Sequence, residues 1–219
     1  MKTAIHQPDF LPWIGFFHKW AISDLFIIYD DAQYIKHGWQ NRDKIKINDS
    51  DQWITIPVLT KGKSEQSISE VEIDNRNRWN HKILNTFKTF FRRTKNFHSY
   101  FPEIEKILLK DHNLLIDLNM ELIYWVGEKL KIDVPIKFSS EYKIELNKTE
   151  KLLGLMKKIN ADEYYTGIAS KDYLDENLLK ENRIKIVYQN FDEIVNYYNI
   201  SRENVGYSII QYLFQEHNQ

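Results

Sequence analysis

The first residues with chemical potential follow a short apolar run at the start of the chain. Thr3-Ala4-Ile5 has the character of a buried strand, and His6-Gln7-Pro8 ends it abruptly. A histidine at a strand end can accept a proton as a general base or orient a substrate, and a glutamine offers both a donor and an acceptor. The alternative interpretation is that His6 only caps the turn that follows.

Two adjacent carboxylates end the next apolar run. Asp30 and Asp31 close the stretch that begins at Asp24. Such a pair can hold Mg²⁺ or a ribose, or can give one carboxyl a raised pKa. The alternative is a solvated strand end. Because the carboxyl ends of parallel strands share one sheet edge, where ligands bind, both carboxylates are predicted to be catalytic with His6 and Gln7.

A third group of candidates lies in Trp39-Gln40-Asn41-Arg42. The guanidinium of Arg42 offers a planar fork for a phosphate or carboxylate, and Asn41 can bind an amide-like edge. Trp39 and Trp53 offer flat surfaces for a sugar or a base. We predict that Trp39, Asn41 and Arg42 bind substrate, with Arg42 as the anion clamp.

Other candidates are single residues in turns. Gly15 opens a predicted helix whose N-terminal amides favour anions, and Lys19 lies one turn further on. Tyr165, Gly167 and Lys171 belong to a second strand end, whose loop suits a position facing the first site, although a surface turn explains it equally well. All five are predicted to bind substrate.

Several classes of site are excluded by what the sequence lacks. The absence of cysteine excludes disulfides, thiolate metal sites and a cysteine nucleophile. Neither phosphate-loop fingerprint, GxGxxG nor GxxxxGK[ST], is present. No metal site is predicted, since no metal-ligand spacing occurs among the remaining histidines, which include His18, His37, His98, His112 and His217. A net charge of −1 gives no global attraction to nucleic acid.

The elements that must position these residues alternate between strand and helix. A strand, a turn, a helix at residues 14–22 and a strand at 24–31 form a βαβ unit. Alternating residues at 44–47, 53–56 and 68–73 predict a hairpin plus a third strand, with a mobile loop at 61–64. Residues 78–131 are predicted to be helical, followed by a helix at 149–159, a strand at 184–188 and a final helix at 203–215.

These elements predict an α/β fold with a Rossmann-like, mostly parallel sheet, a β-hairpin insertion and a helical segment. One domain is expected over residues 1–219, with an N-terminal α/β part (1–75), a helical segment (76–135) and a C-terminal α/β part (136–219). No apolar stretch has the length of a signal peptide or of a membrane helix, for which about 18 residues are needed. A cytoplasmic protein without membrane insertion is therefore expected.

Long segments of the chain resemble the WbqC-like protein family. The resemblance is most specific from His6 to Phe17, and it continues through Tyr29-Asp30-Asp31, Trp39, Asn41-Arg42 and the segment from Trp53 to Pro57. Later segments around Trp79, Tyr165 to Leu174 and Ile184 to Tyr188 also fit. One departure lies near the C-terminus, where the family usually carries a Ser-Ile-Ile-Asp type of helix and this chain has Ser208-Ile209-Ile210-Gln211.

The resemblance implies a role in the synthesis of surface polysaccharide and O-antigen. It implies a transferase that forms an amide, by acyl or aminoacyl (for example glycyl) transfer, on the amino group of a nucleotide-linked amino sugar. The donor remains open between an acyl-CoA, a charged tRNA and ATP plus an acid, and no other nucleic acid is expected as a partner. The alternatives are a non-catalytic sugar-nucleotide-binding or assembly protein and an ATP-dependent ligase of the acyl-adenylate type.

Overall fold

The computed structural model describes residues 1–63 and 65–215. Ser64, the last residue of the predicted loop, and His217 lie outside the described residues. Five strands form one parallel sheet: β1 (Lys2–His6), β2 (Leu25–Ile28), β5 (Ile136–Phe138), β6 (Glu163–Thr166) and β7 (Lys185–Tyr188). Their order, β5-β2-β1-β6-β7, is the classic doubly wound order, so the predicted Rossmann-like α/β fold is confirmed.

The parallel pairing of β1 with β2 confirms the predicted βαβ unit, with α1 (Ile14–Ala21) as its crossover. Successive residues of these strands face opposite sides of the sheet, as the pleat requires. On one side Ala4 and Phe26 pack into a large core with α1, whereas on the other Ile5 and Ile27 pack into a smaller core. The continuous apolar character of β1 and β2 follows from this burial on both faces.

The predicted hairpin is present as a separate antiparallel pair, β3 (Arg42–Ile47) and β4 (Ser50–Thr55). The predicted third strand at 68–73 is wrong. Residues Ile68–Glu70 form a 3₁₀ turn, and the neighbouring residues make only isolated bridges, Val58 with Ile73 and Glu72 with Leu114. The Ser67 and Glu70 side chains close a capping box on this turn, and that local bonding favours the turn over the extended strand.

The predicted helical segment consists of α2 (Trp79–Phe91), α3 (Phe97–Leu109) and α4 (Leu115–Lys129). The C-terminal part adds α5 (Lys148–Lys158), α6 (Glu176–Glu181), α7 (Phe191–Tyr198) and α8 (Ile209–Gln215). The predicted helix at 203–215 is therefore shorter than expected, because Arg202–Asn204 is a 3₁₀ turn. The short strand β5, α6 and α7 were not predicted. No helix among the described residues is long and apolar enough to cross a membrane.

Candidate functional site

A cavity of about 740 Å³ opens at the carboxyl ends of β1 and β6. The chain runs from β1 to β2 on one side and reaches β6 on the other, so the cavity lies at the point where the strand order reverses. Ligands of open α/β sheets bind at such switch points, because the loops after the two strands diverge there. Five residues predicted for the site line the cavity: His6, Gln7, Lys19, Trp39 and Gly167.

Two loops on one side of the cavity are held together by side-chain amides. The Gln40 amide donates a hydrogen bond to Gln7 Oε1. The Gln7 NH₂ group has no partner among the described residues, so it can donate to a ligand. Asn119, fully buried on α4, donates to the carbonyls of Pro8 (2.7 Å) and Gln40 (2.8 Å). The Phe10 amide donates to the Trp39 carbonyl at 3.0 Å. These bonds fix the turn after β1 against the loop before β3.

Asp9 and Asp43, which we call the acid pair, line the same side of the cavity. Asp9 is 8% exposed, and its Oδ1 has no hydrogen-bond partner among the described residues. Burial raises the pKa of Asp9 to about 7, and Lys19 partly opposes this rise. Burial also raises the pKa of Asp43 well above its usual value, with Asp9 adding to the rise. Asp9 can therefore accept a proton near neutral pH.

Lys19 projects from α1 into the cavity with only 3% of its surface exposed. Burial lowers the pKa of Lys19 to about 8, while Asp9 opposes the fall. No hydrogen-bond or ion-pair partner of the Lys19 ammonium is found within residues 1–63 and 65–215. A Cβ at Gly167 would lie 4.0 Å from Lys19 Nζ, so the glycine leaves the approach to the amine open.

The His6 ring is held in one orientation and stays neutral at pH 7. Nδ1 lies 3.0 Å from the Gln7 carbonyl, which can only accept, so Nδ1 carries the hydrogen and Nε2 is left as an acceptor. The edge of the ring meets Phe16 with centroids 5.0 Å apart. Burial, followed by the charge of Lys19, lowers the pKa of His6 to about 3. His6 is therefore a weak proton acceptor and a well-placed hydrogen-bonding group.

Two pairs of aromatic rings form walls at the mouth. Trp39 lies against Trp53 with ring centroids 5.3 Å apart, and Trp13 lies against Phe191 at 5.7 Å. A Cβ at Gly15 would come within 2.2 Å of the Trp13 ring. Gly15 thus allows the indole of Trp13 to lie on the start of α1, and Gly15 itself does not line the cavity. The mouth is apolar, because Trp39 and Phe191 are both substantially exposed.

Asp30 and Asp31 lie away from the cavity lining, and their oxygens are already bonded. Asp30 Oδ1 accepts from the Ser139 hydroxyl (2.9 Å) and the Ser140 amide (3.0 Å), and Oδ2 accepts from the Ser140 hydroxyl (2.6 Å). Asp31 accepts from Ser139 and pairs with Lys151 Nζ at 2.8 Å. Through these bonds the two carboxylates hold the turn after β5 and the helix α5 against the end of β2.

Asn41 and Arg42 do not line the cavity, and each bonds within the protein through part of its side chain. Asn41 Oδ1 and Arg42 Nε have no hydrogen-bond partner among the described residues. The Asn41 amide donates to the Ile56 carbonyl at 2.8 Å, which joins β4 to the loop before β3. The Arg42 guanidinium donates to the His37 carbonyl and lies 4.3 Å from the centroid of the Trp53 ring. Arg42 thus stacks behind the wall that Trp39 and Trp53 form.

Only one of the three residues predicted at the end of β6 lies at the cavity. Gly167 lines the cavity, whereas Tyr165 and Lys171 do not. The Tyr165 hydroxyl donates to Glu193 at 3.2 Å, and Lys171 Nζ lies 4.6 Å from the centroid of the Tyr188 ring. Both side chains therefore face neighbouring elements of the C-terminal part.

Three residues of the site were missed by sequence reasoning: Asp9, Asp43 and Asn119. Asp9 lies three residues after His6 in the same proline-containing turn, and this spacing was an available signal. Asn119 lies within the apolar stripe of α4, beside Leu115, Leu118 and Leu122, where a buried amide is unusual. Asp43 shares the face of Ile45 and Ile47 in the alternation of β3, so a carboxylate at an inward-facing position was also an available signal. Among the described residues no group of three His, Asp or Glu side chains is arranged to hold a metal ion.

The sequence profile of the WbqC-like protein family matches residues 7–219. The chain belongs to the WbqC-like protein family. The match includes Gln7, Asp9, Lys19 and Asp43, while His6 directly precedes it. In this WbqC-like protein the departing residue Gln211 is buried, and its Oε1 accepts from the Lys46 amide at 2.7 Å. It ties α8 to the hairpin where the family usually has an aspartate.

The chain is also similar to the uncharacterized protein Rv1507c of Mycobacterium tuberculosis. The two sequences are 34% identical over 197 residues, which cover 90% of this chain and 85% of the relative. No solved structure matches this WbqC-like chain.

Proposed function

We propose that this protein is a transferase of surface polysaccharide synthesis that acylates the amino group of a nucleotide-linked amino sugar in the switch-point cavity. The observation that carries the proposal is the contact of Asp9, His6 and Lys19 with one cavity, each with a pKa displaced by burial. A cleft that contains several titratable groups with shifted pKa values is typical of catalytic sites.

The acid pair is suited to an ammonium ligand. A sugar amine is protonated at neutral pH and has no lone pair until a base removes one proton. Asp9 has a pKa of about 7, close to the value of about 8 for an α-amino group, so the proton passes between them at little cost. Asp9 thus replaces His6 and the Asp30-Asp31 pair as the proposed base, since His6 has a pKa of about 3 and that pair is fully bonded.

Lys19 and Gln7 are suited to the acyl carbonyl. When the free amine attacks the carbonyl carbon, the carbon–oxygen double bond opens and negative charge gathers on the oxygen. The Lys19 ammonium and the free NH₂ group of Gln7 then donate to that oxygen, while Gln40 fixes the orientation of Gln7. As the carbon–oxygen double bond forms again, the bond to the donor breaks and the donor leaves with the electron pair. The second proton of the attacking amine passes to the departing donor group, which leaves a neutral amide.

His6 is proposed to position the substrate. Because Nδ1 donates to the Gln7 carbonyl, Nε2 accepts a hydrogen bond from a sugar hydroxyl or from the attacking amine. Its proximity to Asp9, 3.7 Å from Nδ1 to Oδ2, ties its orientation to that of the base.

The test is a mass-spectrometric assay of the purified protein with a panel of nucleotide-linked amino sugars. Acyl-CoAs, charged tRNA, and amino acids plus ATP serve as alternative donors. We expect a mass gain on the sugar nucleotide that Asp9→Asn and Lys19→Met abolish. Asp117→Asn, on the exposed face of α4, is the matched control and retains the product.

The outcomes separate the classes of function. Release of AMP or ADP with product formation would assign the ATP-dependent ligase. Saturable binding of a sugar nucleotide without product from any donor would refute the transferase and leave a binding protein.

A further inference from the structure

The residues that line the cavity include a charged group and an uncharged group, which come from different elements of the fold. The charged residues of the lining, Asp9, Lys19 and Asp43, come from the turn after β1, from α1 and from β3. A second group of five residues comes from β1, the end of β2, α5, β6 and the segment before α6. We call this group the tyrosine branch: Ile5, Tyr29, Leu152, Tyr164 and Tyr173. None of its members carries a formal charge.

The members of the tyrosine branch lie close together. Ile5, Leu152 and Tyr164 belong to the smaller apolar core, and Tyr29 packs against it. Tyr29 and Tyr173 both lie near enough to Tyr164 for their charges to raise its pKa, in addition to the larger effect of burial. Burial likewise raises the pKa of Tyr29 to about 12. The phenols therefore stay neutral. The ring of Tyr164 is buried, Tyr29 is half-buried and Tyr173 is exposed at the mouth of the branch.

The nearest cation to this surface is already engaged. Lys151 Nζ lies 5.3 Å from the centroid of the Tyr29 ring, but it pairs with Asp31 at 2.8 Å and does not line the cavity. The members of the tyrosine branch include no cation for a phosphate or carboxylate and no carboxylate for an ammonium, because Lys19, Asp9 and Asp43 come from other elements of the lining. Burial of an unpaired charge is costly, so the branch selects an uncharged, apolar group.

We propose that the tyrosine branch is the subsite for the acyl group, and that it takes a hydrocarbon acyl chain in preference to an acetyl or a glycyl group. This inference rests on the proposed transferase function, and it chooses among the donors left open there. Ile5 and His6 have side chains on opposite faces of the sheet, but both line the cavity at the end of β1. A chain in the branch therefore reaches the polar side of the cavity past this strand end. A glycyl group would bring an ammonium that finds no carboxylate among the members of the branch, and only one methylene to bury against Ile5 and Leu152.

The mouth of the branch also favours an apolar ligand. Tyr173 is 67% exposed and Ile168, which lines the cavity beside it, is 50% exposed. Covering such exposed apolar surface with a ligand removes it from water and is favourable in free energy. A chain that leaves the tyrosine branch would therefore still find apolar contact at the rim.

The test measures binding of product analogues, which needs no donor and no turnover. N-acetyl-, N-butanoyl- and N-hexanoylglucosamine are titrated into the protein by isothermal calorimetry. Each buried methylene is expected to tighten binding about fourfold, so the butanoyl compound should bind about 15-fold more tightly than the acetyl compound. Leu152→Phe, which fills the branch, should abolish this gain.

Two further variants separate the branch from a general loss of structure. Tyr173→Ala removes an exposed ring at the mouth and should reduce the gain per methylene. Tyr124→Ala, on α4 and 47% exposed but outside the cavity lining, should leave the gain unchanged. Affinity that is flat or falls with chain length, or the absence of saturable binding by all three analogues, would overturn the acyl subsite.

The two proposals fail separately. A chain-length gain that Leu152→Phe removes, together with no product in the mass-spectrometric assay, would keep the subsite and refute the transferase. Product from a glycyl or acetyl donor alone, with no chain-length gain, would keep the transferase and refute the subsite.

Discussion

The protein contains two pairs of aspartates near the carboxyl edge of its sheet, and their surroundings are opposite. The Asp30-Asp31 pair accepts hydrogen bonds from Ser139 and Ser140 and an ion pair from Lys151. Asp9 and Asp43, the acid pair, are buried like Asp30, but Asp9 Oδ1 has no partner among the described residues. A carboxylate whose oxygens are all bonded stabilises the fold, whereas one with an open oxygen in a cavity can exchange a proton with a ligand.

The most direct test of this difference removes one carboxylate from each pair in turn and compares the loss of activity. Asp9→Asn keeps the shape of the side chain but removes the base, and kcat is expected to fall by a factor of about 10² to 10⁴. If the protein catalyses the proposed transfer, Asp30→Ala is expected to leave kcat within about threefold in the folded protein, because its carboxylate does not line the cavity. Both rates are measured by product mass at saturating substrate. A larger loss of kcat in Asp30→Ala than in Asp9→Asn would reverse the assignment of the two pairs.

The pH dependence of stability should carry the signature of the acid pair. Asp9 has a folded-state pKa of about 7 against 3.8 in the unfolded chain, so folding takes up a proton between these values. The raised pKa of Asp9 therefore stabilises the folded state fully below pH 4. This stabilisation is lost as the pH rises through 7. Asp9→Asn is therefore expected to stabilise the protein at pH 8 by at most about 4 kcal/mol, and to have little effect at pH 4.

Urea denaturation at the two pH values measures this difference, with the exposed Asp117→Asn as control. An Asp9→Asn effect that is equal at both pH values would show that the carboxyl of Asp9 titrates normally. The open oxygen of Asp9 would then be no sign of a strained, functional group.

The Asp30-Asp31 pair should show the converse behaviour. Asp30→Ala removes three hydrogen bonds, two from Ser140 and one from Ser139. The free energy of unfolding is expected to fall by about 3 kcal/mol, because buried donors lose a charged acceptor. Ser140→Ala removes only the hydroxyl bond and should cost about 1 kcal/mol. Both free energies of unfolding are measured by urea denaturation. Equal losses in the two variants would contradict the conclusion that Asp30 stabilises the fold through several hydrogen bonds.

The sequence predicted the sheet edge better than it predicted which residues line the cavity there. Strands β1 and β2 end at polar residues, and this pattern located His6, Gln7 and the edge itself correctly. The same pattern favoured Asp30 and Asp31, because a strand end does not reveal that Ser139, Ser140 and Lys151 arrive from residues more than one hundred positions away. Asp9 lacked a regular element to mark it, and its role depends on burial by α1 and β3, which only the tertiary fold supplies.

The smallest expected effect tests whether Asp31 belongs with Asp30. Lys151 and Asp31 form an ion pair whose side chains are 10% and 23% exposed, so water screens it little. Lys151→Met keeps the length of the side chain and is expected to cost about 1 kcal/mol of unfolding free energy, since Asp31 keeps its bond to Ser139. Lys185→Met breaks an ion pair with Glu163 whose lysine is 70% exposed, and this matched control should cost less than about 0.5 kcal/mol. If Lys151→Met lowered kcat without lowering stability, Asp31 would act on the substrate, and the two pairs of aspartates would share one site.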